Sequence, residues 1–342
     1  MIDYILLLAL VVGFYVGWNT GSNDAANAMG VPVGGGMISH RKAVTIMILF
    51  VLLGAVLESW RVMETVGHGI VVGPEGVNPL VEIPEIAVVA LFSAGVWVSV
   101  ATTLKLPIST TESIIGSVIG AGLLLSYLKP AAAPETTLEL GVIGEIGLAW
   151  VLNPFGAAFF AFITYHIAKG GLRSIGSATT LNRILKSLVI ATGAFTAYSI
   201  GTNTVGNATA LLTVVVGGSG QEVFWTPRLI GLFGGIALSV GVITYSWRVM
   251  ETVGRGITRL DATTGFAAQL GAASTIWIFT QFGIPVSSSQ AIVGGVAGAG
   301  LVKGTAAVSK GKLGKIAIAW VLTPTAAAGL TFLIGWFIWG GV

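Results

Sequence analysis

Cysteine is absent from all 342 residues, which excludes disulfides, thiolate nucleophiles and thiolate metal sites. Histidine is nearly so: His40, His68 and His166 lie far apart, so no imidazole cluster is available for a metal and none sits beside a hydroxyl run to activate a nucleophile. Charge is scarce as well. Only 9% of residues are Asp, Glu, Lys or Arg, against about a quarter in soluble domains. No stretch is long and polar enough to form a soluble domain, the opening has no basic n-region that would mark a cleaved signal peptide, and neither an organic cofactor nor a nucleic-acid partner is expected. Hydrophobic residues fill 54% of the chain, mean hydropathy is +0.90, and 49 glycines are spread through apolar stretches. That is the composition of helices solvated by a lipid bilayer.

The chain also repeats itself. WRVMETVGHGI at 60–70 returns as WRVMETVGRGI at 247–257, and LPISTTESIIGSVIGAGL at 106–123 as IPVSSSQAIVGGVAGAGL at 284–301. GSNDAANAMG at 21–30 pairs with GTNTVGNATA at 201–210, and AWVLNP at 149–154 with AWVLTP at 319–324. The offsets, near half the chain length, are too long for a solenoid and suit a transporter built from two related halves with its site between them.

Basic loops stay cytoplasmic. The connection holding Lys169, Arg173, Arg183 and Lys186 has no acid, whereas the loop near Glu75, Glu82 and Glu85 has only acids. Equivalent loops of the second half reverse this sign, which places them on the opposite face. The expectation is an all-α polytopic membrane protein with two inverted-topology repeats. The first repeat is residues 1–168, a cytoplasmic linker 169–186, and the second repeat 187–342, all one transport unit with the N-terminus external. Apolar runs fall at 4–38, 43–59, 86–104, 112–128 and 146–168, then at 188–216, 229–247, 263–282, 289–303 and 316–340. Runs near Glu112 and Gln290 are short for a span of about 20 residues, so re-entrant hairpins would bring the segments to about 10–12.

Four polar motifs interrupt the apolar runs. Asn23, Asp24 and Asn27, with Asn203, Thr204 and Asn207 as their counterparts, gather carboxylate and carboxamide oxygens suited to a small hard cation. The flanking glycines predict a broken helix at each copy. Ser109 to Glu112 and Ser287 to Gln290 read as capping boxes. Three consecutive hydroxyls in each copy exceed what a cap needs, and two such helix N-termini facing each other form a cradle for an oxyanion. The pairs Gly116, Gly120 and Gly294, Gly298 are spaced for close helix packing. Arg61 with Glu64 and Arg248 with Glu251 are spaced for helical ion pairs.

No Lys or Arg lies within these motifs, so an anion there needs co-bound cations or protons for charge compensation. That favours cation-coupled symport. A channel would need a continuous polar lining, which four isolated patches do not provide.

The motif pairs resemble those of the inorganic phosphate transporter family, a group of sodium- or proton-coupled symporters. The resemblance implies phosphate held by Thr110, Thr111, Ser287, Ser288 and Ser289, with Ser113 and Gln290. Sodium is then implied at Asn23, Asp24, Asn27, Glu112, Asn203, Asn207 and Gln290, with a proton as the alternative coupling ion. It also implies alternating access. The composition sets the chain in a lipid bilayer, the short loops and lack of targeting signals point to a cell inner membrane, and the many small residues suit a homodimer. Related sulfate transporters share the framework. Phosphate can donate hydrogen bonds to Asp24 and Glu112, which sulfate cannot, so phosphate is the favoured anion.

Overall fold

A computed structural model describes residues 4–74, 78–103, 108–130, 135–256, 261–302 and 310–340, without the side chains of 25–26, 246–256 and 310–317. Eleven helices are present among them: α1 (Tyr4–Gly34), α2 (His40–Glu58), α3 (Trp60–His68), α4 (Pro84–Thr103), α5 (Thr110–Leu128), α6 (Leu140–Leu172), α7 (Ala178–Ser219), α8 (Pro227–Gly256), α9 (Ala262–Gln281), α10 (Ser288–Leu301) and α11 (Lys310–Trp339). Eight of them contain stretches long and apolar enough to cross a membrane. A two-stranded antiparallel ribbon, β1 (Val71–Val72) with β2 (Thr137–Leu138), ties the loop after α3 to the loop before α6. α6 ends at Leu172 and α7 starts at Ala178, capped by the Ser177 hydroxyl, which accepts from the Thr180 amide at 3.4 Å.

The inversion is visible in the direction of equivalent helices. α1 and α7 run antiparallel: Gly13 lies against Leu212, Asp24 bonds Thr204, and Ala28 lies against Gly193. Each of these two helices also packs in parallel on the following helix of the other half. Phe14 meets Phe233 of α8 edge to face, Gly17 meets Ala237, and Trp18 Nε1 donates to Thr244 Oγ1 at 2.8 Å. In mirror fashion Gly201 of α7 meets Val51 of α2, and Gly206 meets Ser59. The halves are therefore interleaved rather than set side by side.

Helices α4–α5 and α9–α10 form two hairpins. In the second, α9 ends in a glycine motif in which the Gly283 amide donates to the Thr280 carbonyl and the Ile284 amide to the Phe279 carbonyl, with Gly283 at φ +70°. Pro285 follows, and Ser287 Oγ then caps α10 by accepting from the Gln290 amide at 3.2 Å. Ser109 Oγ caps α5 in the same way from the Glu112 amide, also at 3.2 Å. At about 1.5 Å per residue, the 14 residues of α10 are too short to cross a bilayer core of about 30 Å.

The last helix of each half covers the hairpin of the other. A Cβ at Gly116 or Gly120 would strike the backbone of Pro324 or Ala328 in α11; one at Gly294 or Gly298 would strike Pro154 or Ala158 in α6. The four-residue glycine spacing thus serves packing, and the repeated AWVLNP and AWVLTP stretches supply the helix surface that fits it.

One expectation is corrected. Neither Asn-rich motif breaks its helix, since α1 and α7 continue through Gly21–Gly30 and Gly201–Ala210. The glycines there admit neighbouring backbone: Gly21 faces the Leu238 carbonyl and Gly201 the Val51 carbonyl, each too near for a Cβ. The described break between helices falls at the second hairpin tip, between Gln281 and Ser288. Arg61 and Glu64 likewise form no ion pair among the described residues; the Arg61 guanidinium instead stacks 4.8 Å over the Trp60 ring. The side chains of Arg248 and Glu251 lie outside the described residues.

Candidate functional site

The antiparallel crossing of α1 and α7 brings their Asn-rich turns to the two hairpin tips at the centre of the bundle. Asp24, Asn27, Asn203, Thr204 and Asn207 are all buried there, as are Thr110, Thr111, Glu112, Ser113, Ser287, Ser288 and Gln290. Ser289 and Asn23 are half-buried.

Asp24 Oδ2 accepts from Ser288 Oγ at 2.8 Å and from Thr204 Oγ1 at 3.5 Å. Asn27 Nδ2 donates to Ser288 Oγ and Ser289 Oγ, both at 3.2 Å. The first half of the Asn-rich pair is therefore wired to the hydroxyl run of the second hairpin. Asn207 of the other copy is wired to the first hairpin, donating through Nδ2 to Thr111 Oγ1 at 3.3 Å. Thr111 Oγ1 in turn donates to the Val286 carbonyl at 3.2 Å and so links the two tips.

Asn203 holds a tip in place. Its Nδ2 donates to the Ile284 carbonyl at 3.1 Å and to Thr280 Oγ1 at 3.0 Å, while its Oδ1 accepts from the Val286 amide at 3.1 Å. The carboxamide thus brackets the extended chain between α9 and α10. Asn23 is its counterpart, but the matching part of the first tip, 104–107, lies outside the described residues.

Two pairs of residues in equivalent positions touch each other: Asp24 with Thr204, and Glu112 with Gln290, whose Nε2 donates to Glu112 Oε1 at 2.5 Å. Residues meet their own counterparts only on the axis that relates the halves, so that axis runs through the site. The Glu112 and Gln290 side chains thus bond across the axis.

Asn153 of α6 was not marked as a site residue by the sequence. It is fully buried, and its Nδ2 donates to the Ser287 carbonyl at 2.8 Å and to Gln290 Oε1 at 3.5 Å. The one signal for it was the Asn–Thr difference between AWVLNP and AWVLTP. Ser113 is brought in without facing the cluster; its hydroxyl donates to the Ala94 carbonyl of α4 at 3.1 Å.

Three buried acceptors have no donor among the described residues: Glu112 Oε2, Asn153 Oδ1 and Asn207 Oδ1. A buried acceptor left unpaired costs about 1–3 kcal/mol, more for a charged group. With two carboxylates in the cluster and no Lys or Arg among the described residues bonded to it, the set accepts far more than it donates. No group of three His, Cys, Asp or Glu forms a transition-metal site among the described residues. The chemistry on offer is that of hard oxygen donors for a small cation beside hydroxyls and helix N-termini for an anion.

A central polar site at the axis between inverted helical repeats, with two helical hairpins meeting there, is the architecture of a secondary membrane transporter rather than an enzyme. Comparison with known proteins sharpens the class. A model of the phosphate transporter family matches residues 20–175 and again 173–331, once for each half, and the chain belongs to that family. A protein of Pyrococcus furiosus named "putative phosphate permease" is 30% identical over 96% of this chain and 96% of its own length. A Haemophilus influenzae protein of the same description is 26% identical over 97% and 96%. A solved structure described as the sodium-dependent phosphate transporter is 25% identical, superposes with a TM-score of 0.85, and is matched over 98% of this chain and 99% of its own. The chain is accordingly an integral membrane protein of the phosphate permease type.

Proposed function

We propose that this protein imports inorganic phosphate by sodium-coupled symport and alternating access. The observation that carries the reading is the central cluster with two carboxylates, three buried acceptors without a donor and no bonded Lys or Arg among the described residues. Such a site rejects an anion until cations have entered. The description of the solved relative as sodium-dependent supports sodium as that cation.

In this reading, sodium is held by Asp24, Asn27, Glu112 and Asn207, with Asn23 and Gln290 contributing, while Asn203 fixes the second tip. Phosphate then docks on Thr110, Thr111, Ser288 and Ser289 between the N-termini of α5 and α10. Ser287 serves mainly as the cap of α10, and Ser113 braces the first hairpin. Hydrogen bonds from Asn27 and to Asp24 already occupy the Ser288 hydroxyl, so binding must rearrange them, and only the filled site closes and reopens on the other face. The repeats divide at the linker 169–186, which lies in the cytoplasm with the N-terminus outside, in the inner membrane of the cell, because Lys and Arg collect on that face. A single cysteine introduced at Ser174 should then react only with reagents on the cytoplasmic side.

The test is uptake of labelled phosphate into proteoliposomes under an imposed inward sodium gradient, with sulfate as competitor and a proton gradient as control. Sodium-stimulated uptake that sulfate leaves intact supports the assignment. Uptake driven only by protons would move coupling from sodium to a carboxyl proton, and competition by sulfate would make the protein a broader oxyanion carrier.

A further inference from the structure

A groove of about 330 Å³ opens between the ends of α6, α7 and α9, away from the central site, with Ile167, Ala168, Leu172, Leu188, Phe266 and Leu270 among its walls. Thr164 supplies its only polar side chain. Its walls on α6 and α7 adjoin a basic segment in sequence. Lys169, Arg173, Arg183 and Lys186 are all exposed, and the segment joining them contains no Asp or Glu. Asp261, the acid at the start of α9, caps that helix by accepting from the Thr264 amide at 2.8 Å.

We infer that this groove is a specific site for one anionic phospholipid, its acyl chain between α6, α7 and α9 and its phosphate on the basic segment. Basic pockets between membrane helices on the cytoplasmic side select anionic headgroups, and here the apolar slot and the charge occupy adjacent turns of the same two helices. A second copy of the chain fits less well, because a twofold contact would set this basic rim against itself. The occupant would wedge the last helix of the first half against the hairpin of the second, at a seam that alternating access must respect.

The experiment is native mass spectrometry of the purified full-length protein after exchange into equimolar phosphatidylglycerol and phosphatidylcholine. The expected result is one retained phosphatidylglycerol, preferred by about fivefold per contributing basic side chain. Lys169→Gln with Arg173→Gln should reduce that preference while leaving lipid retention in place. Gly171→Trp should abolish retention, since nothing lies within 4 Å of where its Cβ would sit. Gly147→Trp, equally open but near the other end of α6, should retain the lipid and controls for folding. Equal retention of the two lipids by the unmodified protein, or undiminished retention by Gly171→Trp, overturns the site. So does a dimer that Gly171→Trp dissociates with lipid retention unchanged, which would give the groove to a second copy.

Discussion

The two hairpin tips share a backbone plan and differ in charge. Each begins with a serine cap, carries consecutive hydroxyls, and continues into glycines that nestle against the last helix of the opposite half. Yet Glu112 stands where the second tip has Gln290, and Asp24 of α1 stands where α7 has Thr204. Symmetry is kept where it builds the scaffold, and both carboxylates come from the first half. Because each touches its own neutral counterpart, the negative charge is centred on the axis instead of being displaced to one side. In the proposed function, a cation placed there would be shared by both halves. The functional asymmetry is thus one of ligand identity and not of position.

Removing the carboxylate of Asp24 should break this arrangement most severely. Asp24→Asn keeps an acceptor for Ser288 and Thr204 but removes the charge, and the apparent sodium constant should rise by about 10- to 100-fold, measured as sodium activation of phosphate uptake. An unchanged sodium constant would put the coupling ion elsewhere. The sharper form transfers the charge across the axis: Asp24→Thr combined with Thr204→Asp should recover part of the sodium dependence that Asp24→Thr alone loses. No recovery would mean that the axis does not pass through the cation.

Glu112→Gln comes next. It converts the central pair into two carboxamides, preserves a donor–acceptor contact with Gln290, and removes the second negative charge. The expected result is retained transport with fewer coupled cations, read as a lower Hill coefficient for sodium and an apparent sodium constant raised by about tenfold. A Hill coefficient equal to that of the unmodified protein would show that Glu112 holds no coupling ion.

The inverted repeat, the hairpins and the caps were legible because each leaves a local signature: duplicated strings, a reversed sign of loop charge, and serine three residues before Glu112 or Gln290. What the sequence concealed depended on which helix lies opposite. Asn and Gly within Gly21–Gly30 and Gly201–Ala210 suggest broken helices when only helix propensity is considered, but Leu238 approaches Gly21, and Val51 approaches Gly201, so closely that glycine is needed for contact. Asn203 has the same chemistry as Asn27, and only the path of Ile284 to Val286 shows that its carboxamide holds backbone. Asn153 lies more than a hundred residues from the tip that it binds, and no spacing rule connects them.

Asn153 and Thr323 offer a smaller test of the same contrast. Asn153 donates across to the second tip, whereas Thr323 returns its hydroxyl to the Ala319 carbonyl of its own helix at 2.7 Å. Asn153→Ala should raise the apparent phosphate constant about 5- to 10-fold, the equivalent of about one hydrogen bond, by loosening Ser287 and Gln290. Thr323→Ala should change it by less than about twofold. Equal effects from both substitutions would show that α6 and α11 act alike on the tips despite their different contacts.

The smallest effect is expected at Ser113, whose counterpart is Ala291, so the second half has already dispensed with this hydroxyl. Its bond to the Ala94 carbonyl ties α5 to α4 at a carbonyl of a helix that is otherwise regular. Ser113→Ala should therefore lower stability by about 1 kcal/mol, seen as a modest drop in melting temperature in detergent, and leave the phosphate constant within about twofold. A phosphate constant raised as far as that of Asn153→Ala, with stability unchanged, would mean that the hydroxyl turns from Ala94 to the anion during the cycle. The first tip would then contribute one more phosphate ligand than the second, and the asymmetry would extend from the cation to the anion.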